Sequence, residues 1–359
     1  MKKLLTFLLA AVMVMSLLAG CGSADQTATT AAPEGPTAAA EGETAAPAEG
    51  EEAEEAEDPL ATGDFTADDP LNQDDIGEKE ILVVSFGTSF NDSRVATIGG
   101  IEKAIAAANP DWAVRRAFTA QIVIDHIAKY PGELTDEQKT QLGKTDEELT
   151  ALTTIDNVEQ ALKRARDNGV KELVVAPTHL MKGNEYDELN ATLAKYNADF
   201  ESIKVSEPLL SSDEDKTAVA KELINLTKDY DDGETAIVYM GHGTDHKANS
   251  TYTEMQDAIR ANGGENYFVG VVHEGAQPDV NAVLKAVQDA GKYKKVVLRD
   301  MMVVAGDHAN NDMADPEDAE SWYSTFKAAG FEVETVIEGL GQVEAIQKIY
   351  VDHVAAVMK

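Results

Sequence analysis

The sequence predicts an α/β fold of two similar Rossmann-like halves, each a parallel sheet flanked by helices, with a cleft between them. Three observations carry this. After Asp75, short continuously apolar runs alternate with amphipathic segments, and strands read that way when helices cover both faces of a parallel sheet. Apolar runs end in glycine-bearing turns, as in Val84-Ser85-Phe86-Gly87-Thr88. The chain also repeats itself. That turn is echoed by Tyr239-Met240-Gly241-His242-Gly243-Thr244, with Gly87 and Gly243 spaced by 156 (243 − 87). The run Lys171–Val175 followed by Gly183-Asn184-Glu185 is echoed by Lys294–Leu298 followed by Gly306-Asp307-His308, a spacing of 123 (306 − 183). Ligands of such sheets bind beyond the carboxyl ends of the strands.

The elements follow in order. Ile81–Val84 reads as a buried strand, and Asn91–Ala108 as a helix with Ile98, Ile101, Ala104 and Ile105 on one face, stopping at Asn109-Pro110. Trp112–Ala117 is a strand and Gln121–Tyr130 a helix. Val158–Asn168 is a helix ended by Gly169, and it leads into the strand Glu172–Ala176. Further strands are expected near Ala236–Met240, Tyr267–Val272, Lys295–Met301 and Glu332–Val336. Helices are expected near Thr217–Lys228, Thr253–Asn262, Val280–Ala290 and Val343–Val357.

The chain has 359 residues, 43% of them hydrophobic, enough for a sizeable core. Residues 1–20 have the basic start, short apolar run and small residues of a secretory signal rather than a membrane span. The junction Leu18-Ala19-Gly20-Cys21 resembles the bacterial lipobox, which implies a lipid on Cys21 and a membrane-tethered, extracytoplasmic protein. Acyl chains anchor by roughly 0.8 kcal/mol per buried CH₂. Residues 22–75 contain 16 Asp and Glu and no Lys or Arg. A disordered acidic linker is therefore expected over 21–78, followed by the halves 79–208 and 209–359. The net charge of −35 argues against a nucleic-acid partner, since phosphate binding needs clustered cations. Cys21 is the only cysteine, so disulfides within the chain and cysteine-held zinc or iron–sulfur sites are excluded. A homo-oligomer is compatible with the sequence.

Seven histidines are present, and three stand out by position. His242, His273 and His308 each follow an apolar strand of the second half, where the cleft rim should be. The first half carries Phe86 where the second has His242, and Glu185 where it has His308. Three imidazoles on successive strand ends of one half point to a joint metal site. Imidazole suits Zn, Co, Ni, Cu or Fe(II), whereas Mg and Ca prefer oxygen. A neutral imidazole can equally accept a proton at ambient pH. Asp307 and Asp312 are candidates to orient these rings or to cap the following helix. His246 and His179 are possible cleft residues; His126 and His353 read as packing or surface residues.

Seven segments together resemble the anaerobic sirohydrochlorin cobaltochelatases, class II chelatases related in fold to ferrochelatase. They are VVSFGTSFNDSR (83–94), RRAFTAQIV (115–123), PTHLMKGNEYDEL (177–189), PLLSSDEDK (208–216), MGHGTDHKAN (240–249), VVAGDHANNDMA (303–314) and EGLGQVEAI (338–346). The resemblance implies a chelatase-like fold that inserts Co²⁺ into sirohydrochlorin or a related tetrapyrrole without ATP. It implies His242 as base and metal ligand, and His308 as a second ligand. The family's third ligand is a glutamate; here the ungapped position falls on His273, and a one-residue slip would give Glu274. Strand alternation favours His273. Imidazole in place of carboxylate makes the site softer, which opens it to Zn²⁺, Ni²⁺ or Fe²⁺ as well as Co²⁺. Arg299-Asp300 and Gln342-Val343 also depart from the family pattern. Arg94, Arg116, Lys182, Lys247 and Arg299 are candidates to meet the carboxylates of the macrocycle. Because that substrate is made in the cytosol, a second reading stands beside catalysis: an extracytoplasmic lipoprotein that binds haem, another tetrapyrrole or metal without turnover.

Overall fold

Each half of the chain builds one four-stranded parallel sheet, and both sheets have the same strand order. The computed structural model describes residues 58–359; the expected secretory signal, Cys21 and the expected linker up to residue 57 lie outside the described residues. In the first half, β1 (Lys79–Ser85), β2 (Ala113–Phe118), β3 (Glu172–Pro177) and β4 (Ser202–Val205) run in the order β2-β1-β3-β4. In the second, β5 (Thr235–Gly241), β6 (Tyr267–Val271), β7 (Lys295–Asp300) and β8 (Glu332–Val336) run β6-β5-β7-β8. The duplication read from the turns is thus a duplication of topology.

Strand alternation explains the continuous apolar runs. Ile81 and Val83 of β1 point into a core shared by both halves, whereas Leu82 and Val84 point outward. In β5, Ile237 and Tyr239 point inward, and Ala236, Val238 and Met240 outward. Both faces are dry, so the strand centres are apolar, and the charged strand residues Glu80, Arg115 and Arg116 are buried as ion pairs. The shared core also takes the apolar stripes of α2 (Ile98–Ala108), α8 (Asp213–Thr227), α9 (Ser250–Ala261) and α12 (Glu344–Met358). The last helix returns to the first half, where the Tyr350 hydroxyl donates to the Thr178 carbonyl at 2.8 Å. Outer faces are covered by α6 (Val158–Asp167) and α7 (Asn184–Tyr196) on one sheet, and by α10 (Val280–Ala290) and α11 (Trp322–Ala328) on the other.

Several elements differ from expectation. The single helix expected over 91–108 is broken into α1 (Asn91–Ala96) and α2, because the side chain of Thr97 bonds back to the Ser93 carbonyl at 2.5 Å and its ψ of −72° turns the chain. The helix α3 (Gln121–Glu133) is followed by α4 (Asp136–Leu142) and α5 (Asp146–Thr153), which the periodicity does not reveal. Each starts from a threonine capping box, Thr135 with Gln138 and Thr145 with Glu148.

The disordered linker expected over 21–78 needs correction at its end, because residues 58–78 pack against the first half. Phe65 is 1% exposed, its ring 5.4 Å from that of Tyr130 on α3. The Leu71 carbonyl accepts from the Arg116 N–H at 3.1 Å, and Gln73 Nε2 donates to the Val114 carbonyl at 3.1 Å, so this strap covers the free edge of β2. Average composition hides the reason: one aromatic and one aspartate find a pocket and buried cations. No helix among the described residues is long and apolar enough to cross a membrane.

Candidate metal centre

β5 ends at Gly241 and delivers His242 to the cleft. Gly243 follows with φ +88°, and a Cβ there would lie 2.8 Å from Val271 Cβ and 3.0 Å from His273 Cβ. Only glycine lets the end of β6 come this close. The His273 N–H then donates to the His242 carbonyl at 2.7 Å, and the two rings stand 5.6 Å apart. His308 arrives from β7 at the start of the π-helical turn Ala309–Met313, with its ring 4.7 Å from that of His242. The structure therefore brings the three strand-end histidines together around His242. Glu274, the alternative to His273, is exposed.

The hydrogen bonds assign the ring nitrogens. His242 Nδ1 lies 2.8 Å from the Gly243 carbonyl, an acceptor, so Nδ1 carries the proton and Nε2 keeps its lone pair. His308 Nδ1 lies 2.6 Å from Asp312 Oδ2, a carboxylate–imidazole pair that orients the ring as metal-bound histidines require. Burial, then the neighbouring His308, pushes the His242 pKa below the ordinary imidazole value. Asp307, His308 and Asp312 also offer ligand atoms within 4.8 Å of one another, so His308 belongs both to the imidazole cluster and to an acidic group.

The first half contributes what the sequence did not assign. The Glu185 carboxylate, in the first turn of α7, acts electrostatically on His242, His179 and Tyr252. Its one sequence signal is its place as counterpart of His308. Both ring nitrogens of His179 are buried without hydrogen-bond partners, and burial pushes its pKa down to about 4, so the ring is neutral. Tyr252 receives the Gly243 N–H on its hydroxyl at 3.1 Å. His246 accepts from the Ala248 N–H at 3.1 Å and reaches toward Asp187 across the halves at 3.7 Å. His353 is tied to Glu207 and Asp215, and His126 stacks edge-on to Tyr130.

Three of the proposed rim cations are not at the rim. Arg94 and Arg116 are 1% exposed and Arg299 is 2% exposed. Arg94 and Arg116 are spent on Asp68 and Glu102, and Arg299 on Glu338. Lys182 is exposed but paired with Glu207; Lys247 stands exposed in the loop after His242.

Two facing parallel sheets with imidazoles at the strand ends of one half define a metal-handling α/β protein of duplicated architecture. Residues 79–359 match the cobalt chelatase (CbiK) family model, and the chain belongs to that family. It is 30% identical over 276 residues to the sirohydrochlorin cobaltochelatase of Salmonella typhimurium, covering 77% of this chain and 95% of that one. It is 28% identical over 281 residues to the sirohydrochlorin cobaltochelatase CbiKC of Nitratidesulfovibrio vulgaris, covering 78% and 90%. In fold it is similar to SirB from Bacillus subtilis, solved with Fe³⁺, at a TM-score of 0.50 and 13% identity over 78% of this chain and 95% of that one.

Proposed function

We propose that the protein inserts Co²⁺ into sirohydrochlorin, as a lipoprotein held outside the cell membrane through Cys21. The observation that carries this reading is the convergence of His242, His273 and His308 at the strand ends of one half, in a member of a cobalt chelatase family. The substrate metal is held by His242 Nε2 and the two flanking imidazoles while the macrocycle occupies the cleft. Insertion exchanges one divalent cation for two pyrrole protons. As the metal passes into the macrocycle, the Nε2 lone pair it leaves on His242 accepts a pyrrole proton, and the Glu185 carboxylate favours the imidazolium so formed. The second proton goes to a flanking imidazole released in the same way. Proximity of metal, base and macrocycle supplies most of the acceleration. Three imidazoles also suit Zn²⁺, Ni²⁺ or Fe²⁺.

A second reading is favoured by one observation, the imidazole of His273 where the family resemblance places a carboxylate. In that reading the cleft holds haem, another tetrapyrrole or a bare metal without turnover. Mixing purified protein with sirohydrochlorin and Co²⁺ separates the two. Multiple turnovers, abolished in His242→Ala, support the chelatase; tight binding with at most one product per protein supports the binder.

A further inference from the structure

We propose that the strap over residues 58–71, which precedes the family-matched residues, is a positioning device for His308. The inference rests on the reading of His308 as a ligand for the substrate metal. Two independent connections run from strap to ligand loop. In the first, the strap caps α1. Phe90 at the helix start makes no side-chain cap, and instead Thr62 Oγ1 accepts from the Asn91 N–H at 3.0 Å while the Thr62 carbonyl accepts from the Asp92 N–H at 2.9 Å. The Asn91 side chain returns the contact, donating to the Pro59 carbonyl at 2.8 Å and the Gly63 carbonyl at 3.0 Å. Two residues along α1 from Asn91, Ser93 Oγ accepts from the Ala305 N–H at 3.0 Å, three residues before His308.

The second connection is ionic. Asp68 Oδ2 accepts from Arg94 Nε at 2.7 Å and from Arg116 at 2.6 Å. Arg94 in turn donates to the Thr88 carbonyl at 2.9 Å. Thr88 packs directly on the ligand loop: a Cβ on Gly306 would meet its Oγ1 at 2.9 Å. Strap and ligand loop also line one cavity of about 480 Å³, with Ala61 and Thr62 on one wall and Ala305 and Asn310 on another. A segment that composition marks as spacer thus holds both the helix and the loop on which Gly306 and Ala305 rest.

The test uses the full chain with Thr62→Val, Asp68→Asn and the conservative Thr62→Ser. Hydrogen exchange over residues 303–313 reads the coupling, and Co²⁺ affinity followed by visible absorption reads its consequence. Thr62→Val and Asp68→Asn are expected to speed exchange over 303–313, with residues 213–227 unchanged, and to weaken Co²⁺ about 10-fold. In both variants the KM for sirohydrochlorin is expected to stay within about twofold while kcat falls, and Thr62→Ser, which keeps the hydroxyl, is expected to leave exchange, affinity and kcat at the wild-type level. Unchanged exchange over 303–313 overturns the inference, as does faster exchange with unaltered Co²⁺ affinity. Absence of cobalt insertion by the wild type overturns the proposed function alone, because exchange and affinity decide the strap without turnover.

Discussion

Asp68 and Asp300 are both buried carboxylates, and their surroundings drive them in opposite directions. Burial alone would raise Asp68, but Arg116 and Arg94 outweigh it and hold the carboxyl below its ordinary value. Asp68→Ala would leave two buried guanidiniums short of a partner, so a loss of about 3–5 kcal/mol is expected in urea unfolding. Asp300 is fully buried, its Oδ2 has no hydrogen-bond partner, and burial pushes it up to about 8 against the pull of Arg299. Between its ordinary value of 3.8 and about 8, the folded state binds the proton that the unfolded state has lost. Stability from this group therefore falls as pH rises through that window and levels above it. Asp300→Asn removes the slope: its gain over wild type should be absent near pH 4 and largest above pH 8, in unfolding curves taken across that range. At the site, Asp312→Asn frees His308 to turn and is expected to weaken Co²⁺ about 10-fold or more by equilibrium titration. His242, His273 and His308 were legible because each follows an apolar strand. His179 was flagged only as a possible cleft residue, while the roles of Glu185 and Asp68 were not legible, since their partners lie 57 and 26 or more residues away along the chain (242 − 185, 94 − 68) and no local pattern marks them.

Among elements, the central strands and the longer helices with a buried stripe were legible; α7 and α11 were not, although they bury Leu189, Leu193, Trp322 and Phe326. The strands of both central pairs have continuous apolar centres and declare themselves; β4 is four residues long and only half-buried, and α4 buries no residue. The periodicity of 91–108 is genuinely continuous, and the break at Thr97 comes from a side-chain hydrogen bond that periodicity does not encode. The strap over 58–78 was misassigned for a compositional reason: its acids resemble those of the linker, and only the buried Phe65 and the ion pairs of Asp68 distinguish it. The turn after β5 carries the most specific consequence. Gly243→Ala places a methyl group against Val271 and His273 at positive φ, which should cost about 1–2 kcal/mol in stability. It should also separate the rings of His242 and His273 and lower Co²⁺ affinity, whereas Gly291→Ala, a positive-φ position with open space, should cost stability without touching affinity.

At the scale of the molecule, one interior joins the two halves, with α2, α8, α9 and α12 between the sheets. The halves repeat in topology but not in chemistry: imidazoles crowd one set of strand ends, while the other presents Phe86, 41% exposed, and Glu185. Repetition of fold was readable from the glycine turns, yet the meeting of the two rims across the cleft was not. X-ray absorption at the cobalt edge of the full-length protein loaded with Co²⁺ tests this arrangement most directly. The account predicts a first shell with three imidazole nitrogens, reduced by one in each of His242→Ala, His273→Ala and His308→Ala. A shell of oxygens alone, or one unchanged by those substitutions, would contradict it.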